Sequence, residues 1–360
     1  MLFGALAGLS LAGGVASGLW RLGVAVPDPH TFTHTGQVLL AHAALMICGF
    51  LGTVIGIERA VAVKHRAAFL APLASGSGAL CLALGQQVPG AWLGVAAALL
   101  FFAVNAALVW RQPATHTLVL LGGAAAWVTG SLLFALGQAS NAVVPWWFAF
   151  LIMTIAAERL EMTRLMRRRP AAQLVLHAVL GLLLAGAAWS GAAPRAGGLL
   201  YGTALVLLAV WLVRFDVARR TVFAHGLSRY MAICLLGGYA WLGVAGVAWV
   251  AMALGWATRD AALHALGLGF VLCMMMGHAP VVLPSIARVK LQFGAFFYLP
   301  LAALHLSLLV RLVLGTFSEA LRAAGASFNA AAIGFFAITV AGAAAAWRLQ
   351  HGAIGAGKSR

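Results

Sequence analysis

Four histidines stand inside long apolar stretches of this chain: His42, His264, His278 and His305. A neutral imidazole in hydrocarbon must find a hydrogen-bond donor, an acceptor or a metal ion. Such residues are therefore candidate ligands, proton relays or ties between helices. His264 and His278 share one run, Asp260 to Lys290, and lie 14 positions apart. At about 100° per residue they fall within roughly 40° of one helical face, about 21 Å apart along the axis. Leu268, Val271 and Met275 fill the face between them.

The elements that must position these side chains follow from composition. Of 360 residues, 63% are hydrophobic and 8% charged, and mean hydropathy is +1.00. Apolar runs of about 20 residues recur from end to end between short turns rich in Gly, Pro or Arg, and continuous apolar runs select helices over barrel strands. The expected spans are 2–24, 36–63, 67–87, 91–110, 115–137, 143–163, 172–190, 197–215, 229–255, 260–287, 295–314 and 326–348. The fold class is all-α, a polytopic integral membrane protein with about twelve transmembrane helices in one helical domain, 1–360. Ala16-Ser17-Gly18 also offers small residues of the kind found at a leader cleavage site, although no basic residue precedes the first run.

The formal net charge of +16 follows topology and does not form a nucleic-acid footprint. Lys64, Arg66, Arg111, Arg164, Arg167, Arg168, Arg169, Arg214, Arg219, Arg220, Arg288, Lys290, Arg348, Lys358 and Arg360 follow even-numbered spans. Odd-numbered turns hold Arg21, Arg195, Arg259 and Arg322, with Arg311 near the end of its own span. The positive-inside rule then puts both termini in the cytoplasm of a bacterial-type inner membrane, with membrane lipids as the partner of the basic face. Cys48, Cys81, Cys234 and Cys273 sit singly within spans and imply no disulfide framework.

Depth sorts the histidines into two pairs. His42 lies about 9 Å inside the outer end of the second span, with Met46 one turn deeper, and His264 enters its own span from the same side at a similar level. Two histidines at one depth on separate helices are what an axial haem pair needs. Counting inward from Arg288 and Lys290, His278 and His305 both fall near mid-membrane and define a second candidate site, although Pro280, Pro284 and Pro300 can bend the helices that carry them. The rival reading of all four is polar contact between helices. The second and sixth spans end alike, in Glu58-Arg59 and Glu158-Arg159. Each Glu is an interfacial anchor or a point of proton entry, and because adjacent residues diverge on a helix, each is expected to pair with another helix.

Other signals are weaker. His30 and His34 in the first outer turn offer a surface metal site, whereas His177 and His225 read as interfacial. Trp146, Trp147, Tyr201 and Tyr298 fit an aromatic belt at span ends. No Cys-x-x-Cys-His, phosphate loop or Gly-x-Ser-x-Gly elbow occurs, which argues against covalent haem, a nucleotide-driven pump and a hydrolase.

His264-Ala265-Leu266-Gly267-Leu268-Gly269, followed by Met274-Met275-Met276-Gly277-His278 and Arg288-Val289, resembles the histidine-bearing helix of NnrS-type membrane proteins. The stretch from His42 through Met46 to Gly49 is similar to the second helix of haem–copper oxidase catalytic subunits, with Ala43 where they carry Gly. The resemblance implies a haem-binding membrane protein, with copper as a second metal at His42, His264, His278 and His305, in nitric-oxide defence or electron transfer. Its partners would be a redox protein or a small gas such as nitric oxide. Two departures narrow this. The sixth span has no His-Pro-Glu and the seventh no adjacent histidines, and His42 is followed by Ala-Ala-Leu-Met where NnrS-type proteins open a helix on His-x-His-Glu-Met. The competing class is a cofactor-free, proton-coupled secondary transporter relaying protons through the histidines and Glu58 or Glu158, whose expected cue is broken helices in matching halves. A scaffold subunit without chemistry is the third.

Overall fold

The computed structural model describes residues 2–24, 41–162, 170–287 and 289–356. No strand occurs among them, and twelve helices are long and apolar enough to cross a membrane, as the hydropathy pattern predicts. This is a multi-pass membrane protein of all-α class. The helices are α1 Leu2–Trp20, α2 Ala41–Val63, α3 Arg66–Ala83, α4 Gln87–Arg111, α5 Thr115–Ala135, α6 Ser140–Met162, α7 Ala171–Ala192, α8 Pro194–Phe215, α9 Gly226–Ala253, α10 Arg259–Ile286, α11 Ala295–Thr316 and α12 Glu319–Gln350. His30, His34, Arg164, Arg167, Arg168, Arg169 and Arg288 lie outside the described residues.

Local chemistry sets the ends. α3, α5 and α9 each stop at a glycine in the left-handed region, Gly85, Gly137 and Gly255. In each case the amide one residue later reaches back to the carbonyl five residues before it: Gln86 to Cys81, Gln138 to Leu133 and Trp256 to Ala251. These bonds satisfy carbonyls that a helix terminus otherwise exposes in the membrane. α12 begins at Glu319, seven residues before the expected 326. Its first turn is too polar for a hydropathy window, yet Ser318 Oγ accepts the Leu321 amide at 3.4 Å and Glu319 pairs with Arg322 at 3.1 Å.

Contacts group the chain into two compact units, Met1–Leu208 with Gly246–Arg259, and Ala209–Ala245 with Asp260–Arg360. In the first, the buried core of α4, α5 and α6 is an aromatic stack: Trp127 lies parallel to Phe150 at 4.7 Å, and Phe101 meets both rings edge-on. Each such pair contributes about 0.5–1.5 kcal/mol beyond area burial. Trp147 and Tyr201, expected in the lipid-facing belt, are instead fully buried here, and the Tyr201 hydroxyl donates to the Pro145 carbonyl at 2.9 Å. In the second unit, α12 closes on α11 at Gly325, where an added Cβ would stand 2.5 Å from the Arg311 backbone. One turn further on, that approach delivers Asn329 to the Arg311 side chain.

Candidate functional site

In the second unit the ionisable side chains converge at the start of α10. Arg311 grips Asp260 with two bonds, Nε to Oδ2 at 3.0 Å and Nη2 to Oδ1 at 2.8 Å. Its Nη2 also lies 3.1 Å from His264 Nε2. A guanidinium can only donate, so Nε2 accepts and the imidazole carries its proton on Nδ1. That Nδ1–H points at Asp260, 3.0 Å from both Oδ1 and the main-chain oxygen. The network runs on from Arg311 Nη1 to Asn329 Oδ1 at 3.5 Å, from Asn329 Nδ2 to Ser307 Oγ at 2.7 Å, and from Ser307 to the Leu304 carbonyl. Arg311 is 8% exposed, so its charge is held almost wholly by these partners.

The histidine pattern alone does not point to Asp260 or Arg311, but two signals for them are present in the sequence. Asp260 stands four residues before His264 on the same helix face, and Arg311 interrupts an apolar span, where a charge requires a partner.

His264 is followed at once by a π-helical stretch, Ala265–Leu272. α2 repeats this, with His42 two residues before the π-helical stretch Ala44–Gly52. Wide turns of this kind are rare and frequent at functional sites. Each is braced by a tryptophan laid on a glycine. A Cβ on Gly52 would come within 2.8 Å of the Trp127 ring, and one on Gly269 within 2.4 Å of Trp241 Cγ. Cys48 in the first stretch accepts the Trp127 indole N–H at its sulfur, 3.3 Å away, while its carbonyl takes the Ser75 hydroxyl at 2.6 Å. The polar groups rearranged by the wider helix are thus met by side chains.

The remaining expected residues fall as follows. His42 Nδ1 donates to the Gly14 carbonyl of α1 at 2.7 Å, and His278 Nδ1 donates to the Met274 carbonyl at 2.6 Å. His305 is arranged the opposite way round, because its Nδ1 accepts the Trp241 indole N–H at 2.8 Å. Its proton therefore sits on Nε2, 3.9 Å from Cys273 Sγ. His42 belongs to the first unit, and His264, His278 and His305 to the second. Among the described residues no three His, Cys, Asp or Glu side chains converge to hold a metal ion. In the first unit the two Glu-Arg pairs meet: Arg59 Nη2 lies 3.7 Å from both Glu58 and Glu158. Glu158 thus pairs with another helix, as the divergence of adjacent residues predicts, whereas Glu58 lies against its own neighbour Arg59, which that divergence does not predict. The four cysteines are free thiols.

Residues 1–345 match one family model. The chain belongs to that family, which is described as a domain of unknown function (DUF8744). No curated protein matches it.

Proposed function

We propose that this protein is a proton-coupled secondary transporter working with its own ionisable side chains. The observation that carries the reading is the Asp260–Arg311–His264 triad. It is a carboxylate, a cation and a titratable imidazole locked together at the head of a membrane helix. Protonation of His264 removes the lone pair that Arg311 donates to, and protonation of Asp260 removes the charge that holds the guanidinium by both oxygens, so a proton arriving there changes which groups Arg311 can hold. The π-helical stretches after His42 and His264, one in each unit, are wide turns inside continuous helices, an irregularity frequent at functional sites. In the first unit, Glu58 and Glu158 around Arg59 are the matching carboxylates for proton exchange. The distribution of Lys and Arg supports an inner-membrane orientation with both termini cytoplasmic.

A second reading, haem binding with copper as an alternative metal, is favoured by one feature. His42, His264 and His278 each direct Nδ1–H at a main-chain carbonyl, the arrangement that fixes a metal-binding histidine to coordinate through Nε2. His264, whose Nε2 is engaged by Arg311, and His305, whose proton is on Nε2, do not fit this role. Bound haem would supply electron transfer or gas binding, with a redox protein or nitric oxide as partner.

One preparation separates the two. Protein purified from haem-replete cells is scanned for absorbance and metal, then reconstituted in vesicles holding a pH-sensitive dye. Colourless, metal-free protein whose proton flux appears only when a transported solute is added from a panel of small metabolites, with that flux lost in Asp260→Asn, is the expected result. A Soret band lost in His42→Ala, together with vesicles that hold their gradient, overturns the transport reading.

A further inference from the structure

The π-helical stretch of α2 borders a small cavity in the first unit that has room for a molecule of about water size. Its walls are small because Gly49, Gly78 and Gly94 contribute no side chains, and its polar lining comes from Cys48, Ser75, Ser131 and Trp147, with the Ser75 hydroxyl already donating to the Cys48 carbonyl. Trp147 is fully buried and Ser131 is 2% exposed. The indole Nε1–H is buried without a hydrogen-bond partner among the described residues, and the Ser131 hydroxyl, buried beside the Cys48 thiol, makes no hydrogen bond of good geometry. Each unmet group costs about 1–3 kcal/mol. Two of them lining one space large enough for a molecule call for a shared partner.

The chemistry of that partner can be read from the wall. Trp147 Nε1–H can only donate, and Ser131 can donate or accept. Cys48 sulfur already accepts from Trp127, which leaves its S–H to donate. No charged residue lines the cavity, so an ion would be held there without compensation. We propose that this cavity is a binding site for one neutral, water-sized hydrogen-bond acceptor, held by Trp147 Nε1 and Ser131 Oγ beside the π-helical stretch of α2. Water and a dissolved diatomic gas share that chemistry. The inference stands independently of the transport reading.

The wall supplies the control. A Cβ on Gly49 would meet Ala79 Cβ at 2.6 Å and one on Gly78 the Gly90 carbonyl at 3.0 Å, so neither glycine can be enlarged without moving a helix. Ser131→Leu instead fills the space from a side chain that already lines it. The test uses the full chain with 15N-labelled tryptophan in lipid nanodiscs, the Trp147 indole resonance being assigned by its loss in Trp147→Phe. The expected result is a cross-relaxation peak between the Trp147 indole proton and water, weakened in Ser131→Ala and lost in Ser131→Leu. A resonance silent to water that moves on saturation with carbon monoxide, and stops moving in Ser131→Leu, supports the site with a gas as its occupant. An indole proton in the parent protein that responds to neither overturns the proposal, as does a water peak that persists in folded Ser131→Leu.

Discussion

Removing the carboxylate of Asp260 gives the strongest test of the triad. Asp260→Ala leaves Arg311, 8% exposed, with His264 and a long 3.5 Å contact to Asn329 in place of two short charge-assisted bonds. Stripping one partner from a fully buried ion pair costs about 3–5 kcal/mol. The Asp260 side chain keeps 27% of its exposure, so water reaches the pair and the expected loss is lower, about 2–3 kcal/mol. Arg311→Met replaces the guanidinium with an apolar chain of similar reach and strands a carboxylate that water can still reach, for a loss of about 1–2 kcal/mol. In the double variant no charge is stranded, so its loss should not exceed that of the worse single variant. The coupling between the two sites is then about 1–2 kcal/mol. The assay is reversible unfolding of the purified protein in mixed micelles, followed by tryptophan fluorescence for all four members of the cycle. Losses that add to within about 0.5 kcal/mol would mean the two side chains do not stabilise one another, and the triad would lose its place in the mechanism.

The remaining predictions use the same preparations. Glu158→Gln should cost under about 1 kcal/mol of stability, because Glu158 and Arg59 stand 3.7 Å apart, beyond direct hydrogen bonding, and should nevertheless slow proton flux in vesicles. Equal losses of stability in Glu158→Gln and Asp260→Ala would refute that ranking. Gly269→Ala should destabilise more than Gly52→Ala, both within about 1–3 kcal/mol, since the new methyl at 269 meets the root of the Trp241 ring and that at 52 the outer edge of the Trp127 ring. Trp241→Phe removes the donor that holds His305 in one tautomer. 15N spectra of labelled histidine should show the His305 ring nitrogens losing their fixed assignment, and an unchanged spectrum would contradict the bond.

The architecture was almost wholly legible because hydropathy registers the one thing every span shares, an apolar run of bilayer length. Only α12 began well away from its expected start, where a polar first turn is held by local bonds that a hydropathy average cannot register. The site was legible in part. His264 reads as a residue needing partners, yet Arg311 counts as a topology charge and Asp260 only as the start of a span, and which residues face them depends on helix rotation. Rotation comes from packing, here the close approach at Gly325 that brings Asn329 to Arg311. The aromatic belt misplaced Trp147 and Tyr201 for the same reason, since position along a helix fixes depth and leaves the facing direction open. The π-helical stretches left no trace in the apolar pattern, because widening a helix by part of a turn hardly alters a run that is apolar on every side.

The tautomers set the two functional readings against each other at a single bond. A metal at His264 and the guanidinium of Arg311 compete for the same Nε2 lone pair, and both are cations, so occupancy by one excludes the other. Arg311→Met therefore moves the two mechanisms in opposite directions. In a proton-coupled transporter it removes the group whose partners the proton switches, and flux through reconstituted vesicles falls to the level of empty vesicles. In a haem protein it removes a competitor from the ligand nitrogen, and absorbance per chain rises or is unchanged. The same histidine would have to keep Arg311 in the first case and release it in the second. That opposition makes this variant more informative than replacement of His264, which silences both mechanisms at once.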